Sequence, residues 1–157
     1  MKIVIASDHA GFELKKYLIE ILKEYDSSIE ILDMGPDLYD KHDDYPVYIK
    51  RVAEYISQHD NPEEYRGIII GGSGQGENIC ANKYKNVRSV VIYCNDMVSN
   101  ENMARTTRIH NNANVISFGA RFIEQVNALQ VLKYWLEEKF TGDPRHVRRL
   151  SKLELEE

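Results

Sequence analysis

The chain has 157 residues, which suits one domain large enough to bury most of its apolar side chains. Hydrophobic content of 43% and charged content of 29% are typical of a soluble globular protein. The formal net charge of -5 argues against general nucleic-acid binding, although a local arginine cluster could still hold a small anion. No apolar run approaches the roughly 20 residues of a membrane-spanning helix, so neither nucleic acid nor a membrane is an expected partner.

The start of the chain and its cysteines predict a cytoplasmic protein. Met1 leads directly into the apolar residues 3–5, without the basic and then apolar leader of a secretory signal. Cys80 and Cys94 form neither a CxxC pair nor a disulfide framework.

Short apolar strands alternate with amphipathic helices along the whole chain. This βα repeat predicts a single α/β domain over residues 1–157, with a five-stranded parallel sheet covered by helices on both faces. The predicted strands cover residues 3–6, 29–33, 67–70, 88–93 and 114–118, and the predicted helices cover residues 12–25, 45–58, 76–84, 100–109, 123–140 and about 145–155.

Open parallel sheets bind ligands outside the carboxyl ends of their strands, so the residues after each strand are the first candidates for a site. Asp8 and His9 follow the first strand, the glycine-rich residues 71–76 follow the third, and Arg121 follows the fifth. For Asp8, helix capping and catalysis are equally good readings of the sequence.

The glycine-rich turn (Gly71-Gly72-Ser73-Gly74-Gln75-Gly76) matches none of three common fingerprints. It lacks the dinucleotide pattern GxGxxG, and Gln75 breaks the nucleophile-elbow pattern GxSxG. Glu77 stands where a P-loop has a lysine, and it would repel nucleotide phosphates. Backbone N–H groups in such a turn can bind an anion. We therefore interpret the glycine-rich turn as an anion-binding loop and Glu77 as a base beside it.

Two further clusters have structural and functional interpretations. His110, Asn111 and Asn112 could simply end a helix, because asparagine commonly does so. The basic residues 145–149 could be a solvated helix face, or they could bind a phosphate through arginine, with Arg121 adding to the cluster. HExxH and other clustered ligand spacings are missing, so the sequence predicts no metal site.

Four motifs together resemble the ribose-5-phosphate isomerase B family, which also contains galactose-6-phosphate and allose-6-phosphate isomerases. They occur in order over nearly the whole chain: SDHAGFELK, GGSGQGENICANK, HNNANVISFGAR and PRHVRR. The resemblance implies a Rossmann-like three-layer α/β/α sandwich and a homodimer, or a tetramer, with active sites shared between subunits. It implies a phosphorylated aldose or ketose as substrate and no cofactor.

The resemblance also implies a role for each matching residue. Asp8 and His9 would contact the sugar and help to open its ring, and residues 72–76 would bind the enediolate and nearby hydroxyls. The neighbouring subunit would supply His110 as a proton donor, Asn111 beside it, and Arg121. Arg145 and Arg149 of the first subunit would hold the phosphate. The implied catalytic residues are Glu77, His110, Ser73 and Asp8. The implied substrate-binding residues are Asp8, His9, Gly72, Ser73, Gly74, Gln75, Gly76, Asn111, Arg121, Arg145 and Arg149.

The family has two versions of its base. Many members carry a cysteine just before the glycine loop, where this chain has Gly71, and the others carry a glutamate after the loop, which Glu77 matches. The segment between Cys94 and His110 is several residues longer than the usual pattern, near the predicted site.

The sequence therefore predicts an aldose–ketose isomerase of the pentose phosphate pathway, which interconverts ribose 5-phosphate and ribulose 5-phosphate with Glu77 as base. The alternatives are a six-carbon substrate (allose or galactose 6-phosphate), a serine hydrolase using Ser73 and His110, and a non-catalytic module that binds a sugar phosphate or nucleotide.

Overall fold

The computed structural model describes residues 1–92 and 96–153. Within these ranges five strands alternate with six helices, as the apolar patterning predicts. The strands are β1 (Lys2–Ser7), β2 (Glu30–Asp33), β3 (Tyr65–Gly71), β4 (Ser89–Ile92) and β5 (Val115–Gly119), and the helices are α1 (Phe12–Tyr25), α2 (Tyr45–Gln58), α3 (Gln75–Ala81), α4 (Met97–Asn111), α5 (Gln125–Glu137) and α6 (Pro144–Leu150).

The five strands form one parallel sheet in the order β2-β1-β3-β5-β4. The chain runs from β1 outward to β2 on one side and returns to β3 on the other side. The gap between the carboxyl ends of β1 and β3 is thus a topological switch point, the usual ligand site of an open α/β sheet.

Alternate residues of the strands face two separate cores. Ile3 and Ile5 of β1 pack in the core that includes α1, α4 and α5. Val4 and Ala6 pack in the second core, under α2 and α3. Both faces of the sheet are covered, in keeping with the largely apolar strands β1, β3 and β5, and the fold is the expected Rossmann-like three-layer α/β/α sandwich. None of the helices in the described ranges is both long and apolar enough to cross a membrane.

Most element boundaries fall close to the predicted ones. Helix α2 has the predicted bounds 45–58, and α4 is longer than predicted at both ends. Helix α6 is shorter: it ends at Leu150, residues 151–153 form a turn, and the predicted residues beyond 153 lie outside the described ranges. Cys94 also lies outside them.

Candidate active site

The turn after β1 packs directly against the end of β3. The Asp8 N–H donates to the Ile70 carbonyl over 3.2 Å, and a Cβ atom on Gly11 would lie 2.6 Å from that same oxygen. Only glycine fits at position 11, because the turn approaches the β3 backbone so closely. This packing places Asp8 and His9 beside the glycine loop that follows β3.

Asp8 is buried, with 7% of its surface exposed. Its Oδ1 accepts a hydrogen bond from the Gly11 N–H over 3.0 Å, so the carboxylate does stabilise the turn before α1. Its Oδ2 lies 4.0 Å from Nδ1 of His9. One oxygen therefore has a structural role, and the other faces the neighbouring imidazole.

His9 has a second acidic neighbour, Asp43, which the sequence analysis did not identify. Oδ1 of Asp43 lies 2.7 Å from the His9 Nδ1 and accepts the His9 backbone N–H over 3.1 Å. Asp8, His9 and Asp43 offer ligand atoms within 4.8 Å of one another, a spacing that a metal ion could use. Asp43 lies far along the loop that joins β2, which ends at Asp33, to α2, so the rule that examines the residues directly after each strand does not reach it.

The glycine loop turns sharply into α3. Gly74 has a left-handed φ of 74°, and its carbonyl accepts a hydrogen bond from Ser117 Oγ over 2.7 Å. Ser73 is exposed, and its Oγ accepts the Gln75 N–H over 3.2 Å. A side chain of β5 thus fixes the loop on its buried side, and Ser73 lies on its exposed side.

Tyr45, the first residue of α2, closes one side of this loop. A Cβ atom on Gly76 would lie 2.9 Å from both Cζ and the hydroxyl of Tyr45. The sequence shows Tyr45 only as the start of a helix. Its contact depends on how α2 packs against α3, which the sequence pattern does not specify.

Glu77 lies in the first turn of α3 with only 4% of its surface exposed. Burial is the main reason that the pKa of its carboxyl group is raised. A backbone hydrogen bond opposes this shift of the pKa, and the nearby Asp8 carboxylate reinforces it. A raised pKa makes the ionised carboxylate a stronger base than an ordinary glutamate, which suits a group that must accept a proton.

Gly71 makes room for that carboxylate. A Cβ atom added at Gly71 would overlap Cδ and both carboxylate oxygens of Glu77. The absence of a side chain at position 71 is therefore what allows Glu77 to fold back beneath the loop. A residue with a side chain at position 71 and the observed Glu77 conformation exclude each other.

Arg121 also lies beside the glycine loop of its own chain. Its guanidinium carbon is 3.2 Å from the position of a Cβ atom on Gly72, and its backbone N–H donates to the Gly72 carbonyl over 3.1 Å. The side chain is exposed at the carboxyl end of β5. We call Asp8, His9, residues 72–77 and Arg121 the carboxyl-edge group.

The remaining candidates gather at the end of α4. His110 and Asn111 form its last turn, and Asn112 ends the helix with a left-handed φ of 46°. The His110 ring stacks on the buried ring of His146, with centroids 4.3 Å apart and an interplanar angle of 16°. The expected helix-ending role of the asparagines thus belongs to Asn112, which leaves Asn111 exposed.

The stack joins α4 to the arginines of α6. Arg145 Nε donates to His146 Nε2 over 3.2 Å, and the side chains of Arg145 and Arg149 are exposed. Burial lowers the pKa of His146, and neighbouring His110 and Arg145 lower it further. We call His110, Asn111, His146, Arg145 and Arg149 the helix-end group.

The buried Arg108 fixes the end of α4. Its Nη1 donates to the Ala113 carbonyl over 2.6 Å and to Asn112 Oδ1 over 3.0 Å, and its Nη2 donates to Glu63 over 3.0 Å. These bonds join the last turn of α4 to the residues that follow it and to Glu63. They hold the last turn of α4, and with it His110, in one orientation.

The two groups lie at opposite ends of β5. The helix-end group precedes Val115, whereas Gly119 pairs with Gly71 beside the glycine loop. The strand alone separates them by roughly 13 Å. One chain therefore does not bring His110 to Ser73 or Glu77, and the serine–histidine pair of a hydrolase is not assembled within it.

The arginines are distributed differently from the expectation. Arg121 was expected to act from the neighbouring subunit, but it lies against the glycine loop of its own chain. Arg145 and Arg149 were expected on the same subunit as the loop, but they share the helix-end group with His110. The reason is that β5 carries Arg121 to the carboxyl edge, while α6 packs against the end of α4.

Residues 3–153 match the model of the family described as Ribose/Galactose Isomerase. YwlF of Bacillus subtilis, named only as a candidate sugar phosphate isomerase, is 39% identical over 98% of this chain and 95% of its own length. Ribose-5-phosphate isomerase B of Mycolicibacterium paratuberculosis is 34% identical over 96% of this chain and 88% of its own length.

A solved structure shows the same similarity in three dimensions. It is the crystal structure of ribose-5-phosphate isomerase B from Mycoplasma genitalium with bound ribulose-5-phosphate. It superposes with a TM-score of 0.87 and 34% identity, over 97% of this chain and 93% of that chain. The family match, the two relatives and this fold agree over nearly the full sequence, and the chain belongs to the ribose/galactose isomerase family.

Proposed function

We propose that the protein interconverts D-ribose 5-phosphate and D-ribulose 5-phosphate through an enediolate, with Glu77 as the base. The observation that carries this proposal is the buried Glu77 carboxyl beneath the glycine loop, with its pKa raised by burial. The relatives named as ribose-5-phosphate isomerase B, one of them solved with bound ribulose-5-phosphate, support the choice of substrate.

The reaction requires a proton to move between two adjacent carbons. Glu77 removes the proton from C2 of the open-chain aldose and returns it to C1 of the enediolate, so the base is regenerated. The proton of the C2 hydroxyl passes to the C1 oxygen in the same conversion, so the aldehyde becomes a hydroxyl and the C2 hydroxyl becomes the ketone. Ser73 and the backbone N–H groups of residues 72–76 stabilise the negative oxygen that develops between these steps. A single donor of this kind is worth roughly 3 kcal/mol in other enzymes.

A second copy of the chain completes the site. The carboxyl-edge group of one protomer lacks the helix-end group, because β5 separates the two within each chain. In a homodimer, the partner's helix-end group would lie over the glycine loop and bring His110 to the sugar ring. A dimer is the smallest assembly with complete sites, and a tetramer would contain two such dimers.

The phosphate then has ligands from both protomers. Arg121 would approach it from the carboxyl-edge group, and Arg145 and Arg149 would approach it from the partner, with Asn111 beside them. Arginine makes forked, charge-assisted bonds to phosphate oxygens. These bonds anchor the end of the sugar that does not react and fix the reacting carbons above Glu77.

The protein would act in carbohydrate metabolism, in the pentose phosphate pathway, and in the cytoplasm. Binding of nucleic acid is not part of the proposal, since the chain carries a net charge of -5. None of the proposed steps uses a metal ion or an organic cofactor.

The first experiment is a panel assay with ribose 5-phosphate, allose 6-phosphate and galactose 6-phosphate. We expect the largest kcat/KM with ribose 5-phosphate; preference for a hexose phosphate would assign the six-carbon function. Tight binding of these sugars without turnover would instead indicate a non-catalytic module.

The second experiment tests the base. We expect Glu77→Gln to reduce kcat at least about a hundredfold, because general base catalysis typically contributes that much or more. The exposed Glu54→Gln on α2 has the same charge change and should leave kcat unchanged. Circular dichroism establishes that both variants are folded, and wild-type turnover by a folded Glu77→Gln protein would refute the assignment.

A further inference from the structure

We propose that Asp43 is a positioning residue that holds His9 in the tautomer and orientation required for sugar-ring opening. The proposal rests on the isomerase function above and concerns a residue outside the expected site. The feature that carries it is the pair of contacts from one Asp43 oxygen to the backbone and the ring of His9.

The contacts determine which ring nitrogen carries the proton. An ionised carboxylate can only accept hydrogen bonds, so the 2.7 Å contact between Asp43 Oδ1 and His9 Nδ1 requires a proton on Nδ1. In the neutral imidazole, Nε2 is then an unprotonated acceptor. The second bond, from the His9 backbone N–H, fixes the carboxylate relative to the main chain that carries the ring.

Burial makes this arrangement asymmetric. The Asp43 side chain is 4% exposed, whereas the His9 side chain is 27% exposed. The carboxylate is thus shielded from solvent, and the imidazole remains open on the side away from it. Nε2 is the ring nitrogen left for a substrate.

The other oxygen of Asp43 indicates that the carboxylate is not there for stability alone. Oδ2 is buried and accepts no hydrogen bond from any residue in the described ranges. A buried carboxylate oxygen without a partner opposes folding. Its presence is explained if the charge of Asp43 is needed when His9 becomes an imidazolium.

The loop that carries Asp43 is fixed by hydrogen bonds near its start and by a ring contact in its middle. Lys15, which is 1% exposed, donates to the Pro36 carbonyl over 2.7 Å and to Asp33 over 2.8 Å. The Tyr39 ring meets the His9 ring edge to face, with centroids 6.4 Å apart at 85°. The loop therefore holds the imidazole from two sides.

Ring opening uses this orientation. His9 Nε2 takes the proton of the C1 hydroxyl, the C1 oxygen forms the aldehyde, and the bond between C1 and the ring oxygen breaks. The ring oxygen keeps that electron pair and takes a proton from His110 of the partner subunit. Asp43 stabilises the resulting His9 imidazolium, in the manner of an aspartate behind a catalytic histidine.

The two substrates separate this role from that of Glu77. Ribulose 5-phosphate is acyclic, because its 5-hydroxyl carries the phosphate, so removal of its C1 proton needs no ring opening. We therefore compare turnover of ribose 5-phosphate with exchange of the ribulose 5-phosphate C1 proton for solvent deuterium, followed by NMR. Glu77→Gln should lose both activities.

For Asp43→Asn we expect turnover of ribose 5-phosphate to fall roughly tenfold to a hundredfold, since the amide can donate to Nδ1 and favour the wrong tautomer. Deuterium exchange should stay within about twofold of wild type, because it depends on Glu77. The matched control is Asp44→Asn, the same change at the adjacent, exposed carboxylate. It should leave both activities unchanged.

A double-mutant cycle tests whether Asp43 acts through His9. In a His9→Ala background, Asp43→Asn should cause no further loss of turnover, because the ring that it positions is gone. Equal fractional losses in the two backgrounds would overturn the proposal, and so would equal losses of turnover and exchange in Asp43→Asn.

If Asp43→Asn does not fold, measurements on the wild-type protein test whether Asp43 sets the tautomer of His9. The ¹⁵N shifts of His9 should show a proton on Nδ1, and a neutral ring with its proton on Nε2 would overturn the proposal.

Loss of wild-type turnover with EDTA, restored by Zn²⁺, would assign Asp43 to a metal site instead. A wild-type protein without isomerase activity would refute the proposed function, whereas an active wild type with a fully active Asp43→Asn would refute only the role of Asp43.

Discussion

A shared active site predicts that two inactive variants restore each other when their chains associate. Glu77→Gln removes the proposed base from the carboxyl-edge group, and His110→Gln removes the proposed proton donor from the helix-end group. Each homodimer of one variant has two identical defective sites. A heterodimer has one site that combines the intact carboxyl-edge group of one chain with the intact helix-end group of the other.

The size of the restoration follows from this geometry. Random association of equal amounts of the two variants gives heterodimers as about half of all dimers, and one of the two sites in each is intact. We therefore expect about a quarter of the wild-type turnover in the mixture, and about half in purified heterodimers. A site built within one chain would instead give no restoration, because every chain in the mixture is defective.

The assay uses coexpression of the two variants with different affinity tags, sequential purification, and turnover of ribose 5-phosphate per dimer. The matched control pairs Glu77→Gln with Asp8→Asn. Both of these changes lie in the carboxyl-edge group, so neither site of their heterodimer is intact. Purified Glu77→Gln/His110→Gln heterodimers no more active than their parents, or equal restoration in the control, would refute the shared site.

Gly71→Ala should reduce kcat as strongly as Glu77→Gln, since the new methyl group overlaps the carboxylate; a folded variant with wild-type kcat would show that this carboxylate position is not the catalytic one. Arg149→Ala should raise KM roughly tenfold through the loss of a charge-assisted bond, while the neighbouring exposed Arg148→Ala should not; equal KM values for the two variants would rule out Arg149 as a phosphate anchor. Because the pKa of Glu77 is raised from 4.5, the native state holds this proton more tightly than the unfolded chain does, and stability falls as the pH rises above that value. Glu77→Gln should therefore be more stable than wild type to urea at pH 7, with the difference vanishing in acid, and a constant difference at all pH values would contradict this reasoning.

The sequence predicted the layers of the fold because each of its elements carries its own apolar pattern. Helix α2 has the bounds that the alternating pattern predicted, and in the structure an extended Asp44 precedes it and Pro46 lies in its first turn. Helix α4 was predicted too short: it begins at Met97, which packs against the core, and Ser99 in its first turn bonds to Asp96 just before it. Local patterns thus locate an element better than they locate its ends.

The strand-end rule located the part of the candidate site that lies at the carboxyl edge of the sheet. Asp8, the glycine loop and Arg121 were found by this rule, and the structure brings them together. Asp43 was missed because its contact with His9 depends on the path of an irregular loop. The distribution of the arginines was missed because the packing of α6 against α4 leaves no periodic signal in the sequence.

The overlap between a side chain at position 71 and the Glu77 carboxylate also limits how such an enzyme can exchange one base for another. A cysteine introduced at Gly71 alone would collide with the Glu77 carboxylate, and shortening Glu77 alone would remove the proposed base. Either first step would pass through an impaired protein, so the two positions are expected to change together during descent.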